Sequence, residues 1–440
     1  MTILQKANKA LQKERLGTAM QGYKEALERY PELHQLVDFN YQLARKKAFA
    51  NSIQFLHTKN QAQLLATRFP LRILFVLPGP FNSNNGYHVQ LFARMLERCG
   101  VQCIVAVPDR WHTGEANGTR SYSSVQADDK LMLDLIHAWT PREIVRALCD
   151  SLDKRHRCPI VVHLEDNEEY LTEVMTGRSC AELRISPLEE VDKLVPENCY
   201  HPVRGRLFLD KACGLTMIIE TLRSFIKPAQ PHLVLAPPVD EQLFFPRPLN
   251  TELRKAMGIA DSSVAFAYTG NVHRGNKDEV EELYKAVALL NERGHAAVLL
   301  RTGADTEGLG TEYWDKRYEK HLGWVDRRRV PEILAAANIL VQPGQSGWFN
   351  DLRIPCKLPE YFAMGRPIIL PKTNIGLLAR HGEEAYVLEK ADAVHIVSAV
   401  MDIMDDNTLK DHLSEGSVGF YQRIFGRHKS ASLLDFYLNL

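Results

Sequence analysis

The chain has 440 residues, with 54 lysines and arginines against 54 aspartates and glutamates, and 45% of its residues are hydrophobic. That length predicts about three structural units with one or two large cores, and the cancelled charge excludes a global attraction to nucleic acid or to an anionic membrane. The cysteines Cys99, Cys103, Cys149, Cys158, Cys180, Cys199, Cys213 and Cys356 contain no Cys-x-x-Cys and no matched Cys/His set, so neither a zinc site nor a disulfide framework is indicated. The N-terminus lacks an apolar signal core, and no apolar run approaches the roughly 20 residues of a membrane span. A soluble cytoplasmic protein is expected, at most peripheral to the inner face of a membrane.

Residues 1–64 are polar with helical periodicity. Ala7 and Ala10, followed by the spacing Ala19, Tyr23, Ala26 and Pro31, match the two helices of a tetratricopeptide unit. A solitary unit is too short for a stable array, so it either packs on the domain behind it or docks a protein partner.

From Leu71 the pattern becomes αβ. Ile73 to Leu77 reads as a buried strand, Gly79 to Gly86 as a loop, Val89 to Arg98 as a helix, and Ile104 to Val107 as the next strand. A second cycle ends in Ile160 to His163 and a third in Leu233 to Ala236. Trp139-Thr140-Pro141-Arg142-Glu143 reads as a helix start with Thr140 as N-cap and Pro141 at the first position. Residues 65–240 form the first Rossmann-like domain on this reading. Ligands of such sheets gather at the C-terminal ends of the strands, where the Asn84-Asn85-Gly86 and His163 loops fall.

The proline-rich stretch from Pro237 to Pro248 opens a linker over 241–262. A second Rossmann-like domain follows over 263–412, with strands at Val264 to Tyr268, Val298 to Arg301, Ile339 to Val341 and Ile368 to Leu370; residues 413–440 read as C-terminal helices. Within that domain, Pro355-Cys356-Lys357-Leu358-Pro359-Glu360-Tyr361 runs a loop into the first turn of a short helix that Gly365 and Pro367 end. A lysine before a helix N-terminus suits phosphate, and a carboxylate beside it accepts hydrogen bonds from a ribose.

The ordered pieces Val239-Asp240 with Phe245-Pro246, Tyr268-Thr269-Gly270-Asn271, Leu322-Gly323-Trp324-Val325, and Pro355-x-Lys357-Leu358-x-Glu360-Tyr361 with Gly365-x-Pro367 resemble the family-four retaining glycosyltransferases of the GT-B fold. The resemblance covers most of residues 70–400. It implies two facing Rossmann-like domains, an acceptor domain and a donor domain, with the N-terminal helices as an extension. It implies that Glu360 holds the ribose of a nucleoside-diphosphate sugar, with Gly270, Asn271 and Leu358 in the donor site. Asn271 stands where an arginine is common, which leaves Arg274, Lys277 and Lys357 as candidates to balance charge on the diphosphate, Arg274 and Lys357 in a catalytic role.

Gly86 resembles the glycine-rich loop that faces the phosphates. His163 falls where the family places a residue near the reactive face of the sugar, a third catalytic candidate, and Asp166 and Glu168 are placed to orient acceptor hydroxyls. The family's second acid, eight residues before Glu360, is absent: position 352 is leucine, and Asn350 or Asp351 is the expected substitute. No Asp-x-Asp occurs, so no metal and no cofactor are expected beyond the donor itself.

The activity implied is metal-independent transfer of a hexose-like unit to a glycan, a lipid-linked sugar or a protein, in surface polysaccharide or glycoconjugate biosynthesis. A sugar-nucleotide epimerase of the same fold, and a degenerate module that binds a nucleotide sugar or a partner without turnover, are the alternatives. Base, sugar, acceptor and linkage are not encoded in any motif.

Overall fold

The computed structural model describes residues 2–13, 15–30, 37, 40, 41, 44, 71–114, 118–306, 308, 309, 316–426 and 428–440. Helices Ile3–Gln12 and Leu16–Arg29 pack through Ala7, Ala10, Ala19, Met20 and Tyr23, the small residues letting the two backbones approach. The first begins in a reciprocal cap between Thr2 and Gln5. Pro31 and the expected boundary at 64/65 lie outside the described residues.

Two parallel sheets follow. The first contains β1 (Arg72–Val76), β2 (Gln102–Val107), β3 (Thr119–Ser121), β4 (Leu135–Trp139), β5 (Ile160–Leu164), β6 (Gly214–Met217) and β7 (His232–Val234), in the order β3-β2-β1-β4-β5-β6-β7. The second contains β8 (Val264–Thr269), β9 (Ala297–Thr302), β10 (Glu319–His321), β11 (Ile339–Val341), β13 (Ile368–Pro371) and β14 (Tyr386–Leu388), in the order β10-β9-β8-β11-β13-β14. Beside the second sheet, β12 (Gly344–Gln345) pairs antiparallel with β15 (Lys390–Ala391).

Both sheets are covered on two faces, so their central strands are largely apolar; every residue of β8 and β9 is buried, Arg301 and Thr302 included. Register is set by these runs, with Leu74 beside Ile104 and Ile136, and Phe266 beside Leu299 and Ile339. Strand order reverses between β1 and β4 and again between β8 and β11. The crevices outside the carboxyl ends of those pairs are the ligand positions of this fold.

Two local expectations are corrected, and a helix is added to the linker segment. The helix after β1 is Asn84–Glu97, beginning five residues before Val89, because the Ser83 hydroxyl accepts the Gly86 N–H at 3.2 Å and caps it. Asn84-Asn85-Gly86 is thus a first helical turn rather than a loop. Thr140 is not an N-cap: the helix is Glu143–His156 with Arg142 at its cap, and Thr140 sits at φ 85, fully buried, with no partner for its hydroxyl among the described residues. A β-branched residue in that region is strained, and it lies at the end of β4 beside the first crevice. Segment 241–262 also contains a helix, Thr251–Ala256, whose wholly buried Arg254 donates to the carbonyls of Ala336, Ala260 and Ser263 and to Asn338.

Helices Ala393–Asp405, Asn407–Phe425 and His428–Leu438 close the chain. The last returns to the first sheet, where Leu433 and Tyr437 join the core around Ile73 and Phe75 and Tyr437 bonds His137 Nδ1 at 2.6 Å. Full burial of each such side chain is worth about 1.5–3 kcal/mol.

Candidate functional site

The second crevice is built by the loops after β8 and β11 and by helix Lys357–Ala363. That helix is short because Gly365, at φ 64, ends it before Pro367. Leu358, Tyr361 and Phe362 anchor it in the core, and the Tyr361 hydroxyl accepts the Thr269 amide at 2.8 Å, tying the helix to the end of β8. The opposite side of its first turn carries Lys357 and Glu360. Lys357 Nζ donates to Gln342 at 3.2 Å and lies 4.1 Å from the centre of the Tyr268 ring. Its chain crosses Gly270, at φ 139, where a Cβ would come within 3.2 Å of Lys357 Cε. Gly270 therefore leaves room for the lysine at the switch point itself.

Glu360 is buried, 6% exposed, and pairs with Arg327, which stacks 3.4 Å above the Tyr87 ring of the first domain. Burial raises the Glu360 carboxyl above the usual carboxylate range, and the charges of Arg327 and His88 oppose that rise. Tyr87 and His88 come from the second turn of helix Asn84–Glu97. His88 Nδ1 lies 2.7 Å from Glu165, which also accepts from Asn85. Burial alone would depress the His88 imidazole, yet the facing Cys356 and Glu165 push it up to about 10. Gly86 fits this approach: a Cβ there would lie 2.1 Å from the Phe81 carbonyl oxygen.

The predicted residues divide into three groups. Gly270, Lys357, Leu358 and Glu360 meet at the second crevice, and Gly86 lies one residue from the Tyr87 ring that faces it. Asn271 closes the crevice floor, accepting the Ala304 amide at 2.8 Å, while Arg274 is exposed with no ion pair among the described residues and Lys277 opens helix Lys277–Glu292. Asn350 and Asp351 are occupied. Asn350 donates to Glu279 and the Gln345 carbonyl and accepts from Arg353; Asp351 accepts from Ser346, Gly347 and Thr373.

On the first domain, His163 is buried against Trp139, ring centres 4.0 Å apart, and bonds Thr216 at 2.8 Å. Burial holds it well below its ordinary pKa, among the core side chains of the sheet. Glu168 pairs with Arg142 at 2.9 Å. Asp166 is partly buried; burial and the neighbouring Glu168 and Glu165 raise its carboxyl to about 7, against the opposing charges of Arg142 and Arg353. The two domains also touch through Asn167 Nδ2 on the Trp348 carbonyl and Thr221 Oγ1 on the Asp351 carbonyl at 2.7 Å.

Arg327, His88, Glu165 and Glu279 were not singled out by the sequence. The nearest signal was position: Arg327 follows the Leu322 to Val325 motif by two residues, and Glu165 follows His163 by two. Among the described residues no cluster of acids, histidines and cysteines fits a metal ion, and no helix is long and apolar enough to cross a membrane.

Comparison with solved structures places the fold. HepE of Anabaena, crystallised with UDP-glucose, superposes with TM-score 0.62 at 14% identity over 83% of this chain and 99% of its own. Sucrose-phosphate synthase of Thermosynechococcus elongatus gives 0.63 at 14% identity over 84% and 98%. A glycosyltransferase of Rickettsia africae gives 0.58 at 10% identity over 84% and 98%. No curated protein matches the sequence. The two Rossmann-like sheets are those of the GT-B glycosyltransferase fold. Residues 263–406, which hold Gly270, Lys357 and Glu360, match the family described as glycosyl transferases group 1.

Proposed function

We propose that this chain is a retaining glycosyltransferase that moves a hexose-like unit from a nucleoside-diphosphate sugar to a glycan, a lipid-linked sugar or a protein. The observation that carries the reading is the pairing of Lys357 and Glu360 on one anchored helical turn at the strand-order reversal. One group suits phosphate and the other suits ribose hydroxyls. The match to the group 1 family around that turn, and a UDP-glucose complex on the same fold in HepE, support a nucleotide-sugar donor.

In this reading Glu360 holds the ribose, and Leu358 packs beneath it to fix its height. Lys357 and the exposed Arg274 balance the charge that builds on the diphosphate as the glycosidic C–O bond breaks, with Lys277 and the N-terminus of its helix nearby. The Gly86 turn presses on the same helix through Tyr87 and His88, excluding water that would hydrolyse the donor. Asp166, with its raised carboxyl, orients the acceptor hydroxyl, while Glu168 positions Arg142. The departing phosphate takes the acceptor proton on the same face, so no enzyme nucleophile is assigned. The sequence has no Asp-x-Asp metal clamp, and the tetratricopeptide-like helices are available to a protein partner. Transfer of label from a sugar-labelled donor to an acceptor tests the reading. Donor binding with neither transfer nor hydrolysis would favour the second reading, a module without turnover, whose support is leucine at position 352.

A further inference from the structure

Trp348 is 63% exposed although the loop that carries it is pinned. The Asp351 carboxylate accepts from the Ser346 hydroxyl at 2.8 Å and from the Gly347 amide at 3.2 Å, and the Asp351 amide closes the turn on the Gly347 carbonyl at 2.9 Å. Leu352 is buried, and the Arg353 guanidinium covers the Phe349 ring at 3.9 Å. Between Gly344 and Arg353, the Trp348 indole is the large apolar side chain left to solvent.

A lone exposed hydrophobic side chain is ordinary on a protein surface, so its position is the informative part. On one side the loop meets the basic segment after β8: a Cβ on Gly275, next to Arg274, would lie 3.7 Å from Phe349 Cε1. On the other it meets the first domain, where Asn167 Nδ2 donates to the Trp348 carbonyl at 3.3 Å and the Tyr170 ring packs 5.5 Å from that of Phe349. Asp166 precedes Asn167. It is half-buried, its carboxylate makes no hydrogen bond or ion pair among the described residues and keeps contact with solvent, and the charge of Arg353 on the Trp348 loop reaches it.

A flat apolar ring suits a flat apolar partner, and a carboxylate with free lone pairs takes hydroxyl donors. A hexopyranose presents both, in a face of C–H groups and a rim of hydroxyls. An acyl chain would leave the carboxylate unpaired, and a serine or threonine side chain has the hydroxyl without the flat face. Arg353 and Arg274 already bring positive charge to the loop, which disfavours a cation over the indole.

We propose that Trp348 is the platform on which a hexopyranose ring of the acceptor stacks, with Asp166 accepting from that ring's hydroxyls. This rests on the transferase reading above and narrows its acceptor to a sugar, free in a glycan or linked to a lipid, in place of a protein side chain.

The test uses the full chain saturated with UDP or GDP, whichever binds in calorimetry, and takes as probes the methyl and octyl glycosides of glucose, galactose, mannose and N-acetylglucosamine. Saturation-transfer NMR should show the ring C–H protons of at least one methyl glycoside against the protein. Trp348→Ala should weaken the Kd of that glycoside on the order of ten-fold, and Trp348→Phe by less, with the nucleotide Kd unchanged. Asp166→Asn, which keeps the shape and removes the charge, should weaken the same glycoside. The octyl form separates the two sources of the ring, since a lipid-linked acceptor would bind more tightly as the octyl glycoside yet lose as much in Trp348→Ala. Octyl binding that survives Trp348→Ala would place recognition in the alkyl chain and overturn the proposal. Nucleotide binding with no glycoside contact, or glycoside binding untouched by Trp348→Ala, would overturn it and leave the transferase reading standing. Failure of the wild type to bind either nucleotide would overturn both.

Discussion

Replacing Glu360 with alanine separates its proposed ribose contact from its part in the fold. The carboxylate is 6% exposed and ends an ion pair with Arg327, whose side chain is 38% exposed and stacked on Tyr87. After truncation the guanidinium keeps the ring and gains water, so the stability loss stays near that of a surface pair, about 1 kcal/mol or less. Ribose hydroxyls have no such compensation, since hydrogen bonds to a charged group contribute about 1.5–3 kcal/mol. Nucleoside-diphosphate affinity should therefore fall roughly 10- to 150-fold at 1.4 kcal/mol per factor of ten. Titration calorimetry with UDP and GDP reads the affinity, and urea unfolding reads the stability. Equal Kd values for wild type and variant would refute the ribose assignment. Lost binding with a several-fold larger stability loss would make Glu360 a structural residue only.

The raised pKa of His88 gives stability a pH dependence with a definite sign. At about 10 it lies above the ordinary 6.5, so the stabilisation that the imidazolium draws from Cys356 and Glu165 is complete below about pH 6.5 and fades as pH rises toward 10. His88→Gln should flatten the decline in urea stability across that window, and identical slopes would remove the buried cation from the account. Gly86→Ala places a Cβ 2.1 Å from the Phe81 carbonyl oxygen and should cost about 1–3 kcal/mol in urea; a wild-type midpoint would show that the turn yields freely. Tyr437→Phe strips the 2.6 Å partner from His137 Nδ1 and should cost about 1–3 kcal/mol, read as faster amide exchange in β4, and unchanged exchange would argue against the anchor.

The sheets were legible because their strands are buried on both faces, and runs such as Ile73 to Leu77 and Val264 to Tyr268 carry no alternation to confuse with another element. The helix Lys357–Ala363 was legible for a different reason: Pro355 before it and Gly365 and Pro367 after it bracket it closely. Asn84-Asn85-Gly86 misled because all three residues favour loops, and the serine that turns them into a helix start acts through one hydrogen bond. Short strands such as β3, β6 and β14 have too few residues for any periodicity. Contacts distant in sequence left no local trace: Glu165 and His88, both of the first domain, are 77 residues apart, and Arg327 and Glu360, both of the second, are 33 apart.

The return of the last helix to the first sheet sets an order of events during synthesis. Residues of β1, β4 and β5 leave the ribosome long before Leu433 and Tyr437, which complete their core. At about 5–20 residues per second, the roughly 200 residues between β7 and that helix take about 10–40 s to be made. Through that interval the face carrying Ile73, Phe75 and Trp139 is without its final cover, and the first domain is committed to a nascent state that the remainder of the chain must finish. A truncated product ending before the last helix would carry that exposed apolar face permanently, as a target for chaperone or protease.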